Sequence, residues 1–457
     1  MQTRVMSFPK IEVGMDRRQF LKLAGATAAA FSLPGIRSLS ANQTAPVIPP
    51  KKFCPPDRKL RIACVGCGGK GASDIDGVAS EEIVALCDVD RQRALASFRK
   101  HPQAKLYKDY RQMLLEMNDK IDAVVVSTPD HMHFPIAYMA IQMGKHVYVQ
   151  KPLSHTVWEA RVLTEAARKY GVVTQMGNQG HANEGTRLLK EWVQAGVIGP
   201  VREIHFWTNR PIWPQGLTRP TETMTPPPTL DWNRWLGVAP DRPYNKCYLP
   251  FNWRGWWDFG CGALGDMGCH IMDAGFWAVD LKYPISVEAE SEGGTEESPP
   301  KWSIITYQFP ARGNLPPVTV KWYDGGKLPE RPKDLEPDRK LSKGGQMLIG
   351  DNGVIMDTSD YCESPRLIPE SRMKEFKRPE KTIPRVSGGP YKEWIAGCKG
   401  GPLPGSNFDH SGPLTEMVLL GNLAIRLGKK ILWDGPNMKP LNAPEAEKLI
   451  RKQYRVY

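Results

Sequence analysis

Residues 60–71 read LRIACVGCGGKG, a short apolar run that breaks into glycines spaced G-x-G-x-x-G. A second apolar run, residues 83–87, ends at Asp88, seventeen residues after Gly71. An apolar strand that stops at such a loop and gives way to a helical stretch opens a βαβ unit, and this predicts a parallel sheet. Gly66 permits the tight turn, Gly68 and Gly69 let backbone approach a pyrophosphate, and Gly71 lets the helix lie close on the strand. The helix N-terminus adds amide donors for the phosphates. A carboxylate at Asp88 can accept from both ribose hydroxyls and repels a 2′-phosphate. The spacing therefore favours NAD over NADP, with Arg91 nearby keeping NADP as the lesser option.

The same texture continues to residue 178. Strands are expected at 121–127, 146–149 and 172–176, with helical pattern between them, so residues 58–178 read as a doubly wound Rossmann domain. After that point the pattern changes. A helix at 184–194 leads to a strand at 201–208. Residues 209–258 are rich in Pro and Trp and low in pattern. A helix is expected at 263–279, followed by alternating segments at 285–290, 302–309, 318–323 and 346–356, and an amphipathic helix at 414–427. Alternation predicts a largely antiparallel or mixed sheet, so residues 179–457 read as an α+β domain.

The chain begins with an address. Arg17 and Arg18 precede Phe20, Leu21 and Lys22 and an apolar stretch, residues 23–33, that is too short to span a bilayer, which takes roughly 20 residues. This pattern reads as a twin-arginine (Tat) export leader over residues 1–41, which implies the Tat machinery as a partner and a periplasmic or otherwise exported location. Residues 42–57, with five prolines, read as a linker. The net charge of +12 is spread along the chain with no basic block, so no nucleic-acid partner is expected. The nine cysteines are odd in number and irregularly spaced. Cys261 and Cys269, eight apart, fit no common zinc pattern, and no metal is expected.

Three further segments carry chemistry. They are STPDHMH at residues 127–133, QKP at 150–152 and GDMGCH at 265–270. Asp266 and His270 are four apart and share one helix face. Histidine is the side chain whose proton affinity suits transfer near neutrality.

Together with the glycine loop, these segments resemble the glucose–fructose oxidoreductase / inositol dehydrogenase (Gfo/Idh/MocA) family. The resemblance implies an N-terminal Rossmann domain and a C-terminal α/β domain whose open sheet often builds homo-oligomers, with substrate held between them at the nicotinamide. It implies that Thr128, Pro129 and His133 lie over the nicotinamide ribose. It implies that Lys151 stands at the reacting carbon, with Gln150 where the family usually has Glu. His270 is then the base for a substrate hydroxyl, and Asp266 binds substrate or orients the imidazole. Aromatic and polar residues together suit a sugar. His181, Arg187, Asn209, Arg210, Trp213, Arg254 and Trp257, with Trp256 beside them, are the candidate substrate contacts.

The expected activity is NAD-dependent oxidation of a hydroxyl on a sugar, glycoside or polyol. Export favours a tightly bound cofactor that is recycled in place. The alternatives are an NAD-dependent glycoside hydrolase working through a keto-sugar, and a sugar-binding protein with structural NAD.

Overall fold

The computed structural model describes residues 53–457; the leader and most of the linker lie outside the described residues. Six strands form one parallel sheet: β1 (Arg61–Val65), β2 (Glu82–Cys87), β3 (Lys105–Tyr107), β4 (Ala123–Val126), β5 (His146–Val149) and β6 (Thr174–Met176). Their order is β3-β2-β1-β4-β5-β6, so the sheet reverses direction of growth between β1 and β4. Both faces are covered by helices, which is why β4 and β5 are buried at every residue and read as continuous apolar runs. The carboxyl ends on either side of that reversal form a crevice where a ligand fits.

Nine strands form the second sheet: β7 (Val201–Thr208), β8 (Ser286–Glu292), β9 (Trp302–Phe309), β10 (Val318–Tyr323), β11 (Gly344–Gly350), β12 (Gly353–Asp357), β13 (Arg366–Ile368), β14 (Ile431–Asp434) and β15 (Lys439–Pro440). The order is β13-β12-β11-β7-β10-β9-β8-β14-β15, and β7 with β10 is its one parallel pair. Period-two alternation is clearest in β9, where Ser303, Ile305, Tyr307 and Phe309 are buried and their neighbours are half-buried. The segment 346–356 is a hairpin rather than one strand, because the chain reverses at Asp351 and Asn352 between β11 and β12.

Helix Gly262–Ala278 lies between this sheet and helix Phe408–Leu427 and is buried on nearly every side. Its small residues permit that. A Cβ on Gly268 would stand 2.9 Å from Val418, and one on Gly275 would stand 2.7 Å from Phe206. Helix Phe408–Leu427 starts six residues before the expected 414, capped by the Asn407 side chain, and continues through Pro413. Helix Gly389–Cys398 returns to the first sheet, where Trp394, Ile395 and Cys398 pack with Ile62, Tyr148 and Val173. Among the described residues no helix is long and apolar enough to cross a membrane.

Candidate active site

The glycine loop has the shape its spacing demands. Gly66 has φ +82°, and a Cβ there would stand 2.6 Å from the Ser127 carbonyl oxygen. A Cβ on Gly71 would collide with the carbonyl of Gly66. Gly69 is also left-handed, at φ +55°, and leads into helix Lys70–Gly77. Asp88 holds the loop from the neighbouring strand: its carboxylate accepts from the backbone N–H of Cys67 at 2.7 Å and of Asp90 at 2.8 Å. Burial pushes this carboxyl up, and those two N–H groups oppose the push.

Behind the loop sits a carboxylate that the motif does not reveal. Asp74 is fully buried. It accepts from Lys70 Nζ at 2.5 Å, Ser127 Oγ at 2.6 Å, Tyr391 Oη at 2.6 Å and Gln150 Nε2 at 3.0 Å. This accounts physically for glutamine at 150. Its amide donates to Asp74, whereas a second carboxylate there would face the first at hydrogen-bond distance.

His133 is buried and joins two loops, with Nδ1 2.7 Å from the Pro152 carbonyl and Nε2 2.8 Å from the Thr128 carbonyl. Burial lowers its pKa to about 4. Thr128 Oγ1 is buried with no hydrogen-bond partner among the described residues. An orphaned hydroxyl beside a glycine cradle, next to the Pro129 turn, fits a polar ligand laid along the ends of β1 and β4. His131 contacts the Phe259 and Trp235 carbonyls and belongs to the packing.

Lys151, at the end of β5, meets helix Gly262–Ala278 here. Its Nζ donates to the Asp266 carbonyl at 2.6 Å and to Asp266 Oδ1 at 2.8 Å. Arg254 Nε donates to the same carboxylate oxygen at 2.9 Å. Burial works to raise the Asp266 pKa, but Lys151 and Arg254 prevail and hold it well below the usual carboxylate range. Two of the three ammonium donors of Lys151 are committed, and one remains. Asp130 lies close by, accepting from the Cys261 backbone N–H at 3.0 Å. Burial pushes its pKa up to about 7 against the pull of Lys151 and Arg254.

His270 lies one turn beyond Asp266. Its ring makes no hydrogen bond among the described residues, and Nδ1 is buried. Asp266, committed to its two cations, does not orient it; the Tyr361 ring packs edge-on against it with centroids 5.1 Å apart. Burial, helped by the Lys151 charge, lowers the His270 pKa to about 3. The imidazole is therefore neutral near pH 7 with a free lone pair, and it is a weaker base than the near-neutral histidine expected from the sequence, because burial disfavours its charged form.

The remaining candidates separate. Arg254 stands in the site, packed on Trp253 and Trp213 with its guanidinium 4.2 and 5.8 Å from the ring centres. Arg210 follows β7 at the same end of the sheet, and Asn209 beside it is exposed. Trp257 turns elsewhere, its Nε1 donating to the Thr295 carbonyl at 3.2 Å. Trp256 is core, against Tyr248. Arg187 spends its donors on the carbonyls of His181, Asn183 and Pro384. His181 and His410 both face the buried Asp273 carboxylate, at 2.9 and 2.7 Å. Sequence reasoning missed Asp74, Tyr391, Asp360 and Tyr361, none of which sits in a local motif.

Family models match this chain in three places. Residues 60–178 match the Gfo/Idh/MocA oxidoreductase family's NAD-binding Rossmann fold, and residues 189–314 match its C-terminal alpha/beta domain. The chain belongs to the Gfo/Idh/MocA oxidoreductase family. Residues 14–34 match the twin-arginine translocation signal sequence, which directs the chain to Tat-dependent export into the periplasm.

A glycosyl hydrolase family 109 protein of Shewanella sp. (strain W3-18-1) is 32% identical over 204 residues, covering 40% of this chain and 44% of that protein. The chain thus spans less than half the length of that curated relative. D-glucoside 3-dehydrogenase of Escherichia coli K12 is 28% identical over 284 residues, covering 59% of this chain and 68% of that enzyme. Among solved structures, the WlbA dehydrogenase from Bordetella pertussis, in complex with NADH and UDP-GlcNAcA, aligns with TM-score 0.59 at 18% identity. That alignment covers 82% of this chain and 99% of WlbA and shows a shared fold.

Proposed function

We propose that this oxidoreductase oxidises a hydroxyl of a sugar, glycoside or polyol and retains its NAD between turnovers. One observation carries the reading. A neutral, unpartnered imidazole, His270, lies one helical turn from the Lys151–Asp266–Arg254 ion cluster, at the carboxyl edge of the sheet that holds the glycine loop. Gly66, Gly68, Gly69, Gly71, Asp88, Thr128, Pro129 and Gln150 would hold NAD, with His133 fixing the loop around it. Bound NAD would accept the hydride from the reacting carbon. His270 takes the hydroxyl proton on its ring nitrogen. The spare Lys151 donor points its charge at the oxygen as it becomes a carbonyl. Asp266 positions that lysine, and Arg254 keeps Asp266 ionised. The reading includes a homo-oligomer built on the open face of the nine-stranded sheet.

Retention follows from export. A cofactor released outside the cytoplasm has no pool to replace it, so net chemistry is redox-neutral: transfer between two sugars, epimerisation, or glycoside cleavage through a keto-sugar. The glycosyl hydrolase family 109 relatives favour the last of these as the second reading. The test is to incubate purified protein, with no NAD added, with a panel of sugars and glycosides. Many turnovers per molecule are expected. Activity that stops after one turnover and resumes only with free NAD would mark an ordinary dehydrogenase.

A further inference from the structure

Ion pairs occupy most of the half-buried charges of this protein, and two charges facing the site stand out against that background. Arg210 makes no side-chain hydrogen bond or ion pair among the described residues, and its Nε is buried and unpartnered. Asp360, half-buried, likewise has no hydrogen bond or ion pair. The hydroxyl of Tyr361 also has no partner, although the ring packs on His270.

The sheet brings these three residues to one end. Thr208, the last residue of β7, is paired with Gly344, the first of β11, and Gln346 is paired with Asp357, the last of β12. Arg210 lies two residues past the first of these strand ends and Asp360 three past the last. A Cβ on Gly344 would collide with an Asp360 carboxylate oxygen, so a larger residue there would displace the carboxylate. Burial raises the Asp360 pKa most, Asp266 adds to that and Arg210 opposes it, so all three charges share one neighbourhood.

The segment that carries Asp360 and Tyr361 is held in place. The Asp357 carboxylate accepts from the Ser359 N–H at 2.8 Å, the Ser359 hydroxyl at 2.6 Å and the Ser364 N–H at 2.7 Å. Asn183 Nδ2 donates to the Tyr361 carbonyl at 3.1 Å. Open valences on a fixed backbone, beside the acid–base group, are a binding surface that has already met its ordering cost.

We propose that Arg210, Asp360 and Tyr361 form the subsite that orients the substrate, and that it takes an uncharged pyranoside whose neighbouring hydroxyls are bracketed by the guanidinium and the carboxylate. The inference deepens the proposed carbohydrate chemistry and rests on it. Arg210 offers donors and Asp360 offers acceptors, and their charges cancel, so the pair suits hydroxyls, which need both. A uronate carboxylate seated there would face the Asp360 carboxylate directly, whereas Asp266 is already neutralised by Lys151 and Arg254. These residues act on binding and orientation, while His270 and Lys151 remain the groups at the reacting carbon.

The test uses the full protein loaded with NADH. Binding of methyl hexopyranosides and of the corresponding methyl uronides is measured by titration calorimetry, alongside steady-state kinetics. Asp360→Asn, nearly isosteric, and Arg210→Gln are each expected to weaken neutral glycosides at least about tenfold through KM, as fits the loss of a charged hydrogen bond. The kcat should stay within a few-fold, NADH affinity should not change, and the melting temperature should not fall. Asp360→Asn should also narrow the gap between glycosides and uronides. Should Arg210→Gln fail to fold, Asp360→Asn carries the test alone. Uronides binding tighter than neutral glycosides, or variants that bind like the parent, would overturn the subsite. Glycoside binding that is lost in the variants, with no turnover by the parent, would keep the subsite and overturn the oxidoreductase reading. Absence of all carbohydrate binding by the parent would overturn both.

Discussion

Apart from the open Thr128 hydroxyl and the paired Lys151–Asp266–Arg254 cluster, the two sides of the crevice treat their polar groups in opposite ways. On the cofactor side, Asp74 takes four donors, His133 spans two carbonyls and Asp88 holds two backbone N–H groups. On the substrate side, His270, Arg210, Asp360 and Tyr361 keep their valences open. The first arrangement is a socket made rigid by satisfying itself. The second is a surface that waits for hydroxyls to satisfy it, and it costs stability until they arrive. The difference suits a protein that keeps one ligand and exchanges another.

The largest effect should come from breaking the open side at its centre. His270→Ala and Lys151→Ala are each expected to lower turnover by about 10²–10⁴-fold, with NAD affinity nearly unchanged. Stopped-flow absorbance of NADH formation, alongside fluorescence titration of NADH, separates the two quantities. A variant with near-normal rate would remove that residue from the chemistry.

The closed side should answer differently. Gln150→Glu sets a carboxylate against Asp74 and removes a donor from it, for an expected loss of about 1–3 kcal/mol of folding stability. Denaturant unfolding reads this. Part of the loss should return as pH falls, because protonating either acid restores a donor between them. Asp88→Ala should be milder: weaker NAD binding and a narrowed preference over NADP, read by competitive titration. A parent protein that prefers NADP would defeat the assignment to Asp88.

The smallest expected effect is an absence of change. A histidine of ordinary pKa would lose its base form as pH falls through about 6.5. His270, with its pKa lowered to about 3, stays deprotonated down to that pH. The kcat/KM profile should therefore show no acid limb from this group between pH 5 and 8. A limb near 6.5 that disappears in His270→Gln would contradict the buried, neutral imidazole.

The same contrast decides what could be read from the chain alone. The glycine loop and the grouping of Lys151 with Asp266 and His270 were legible because each lies within a few residues of a strand end or helix turn, where spacing fixes geometry. The network on Asp74 was not, because its partners come from Gln150 and Tyr391, brought together only by the folded sheet and helix Gly389–Cys398. Asp360 and Tyr361 follow a five-residue strand, β12, and only its pairing with β11, itself paired with β7, brings them to the end of the sheet where Tyr361 meets His270. The strands β3 and β13, with three residues each, are too short for periodicity to show. Helix Phe408–Leu427 began early in the structure because Asn407 caps it and tertiary burial outweighs the cost of Pro413. In residues 209–258 the tryptophans looked alike, and packing alone separates Trp213, beside Arg254, from Trp256 in the core.

Helix Gly389–Cys398 also sets an order of events. Trp394 is wholly buried against the parallel sheet, and the Cys54 backbone N–H donates to the Cys398 carbonyl at 3.0 Å. The nucleotide domain therefore borrows part of its core from residues made more than two hundred positions after its last strand. A ribosome that has finished β6 has made every residue of the glycine motif and the helices over β1 and β2, but one face of β5 and β6 still lacks its cover. The finished packing of this domain therefore exists only once residues 389–398 have been made. For a protein sent through a translocon that carries folded cargo, the N-terminal domain thus completes its fold only when the chain is nearly whole.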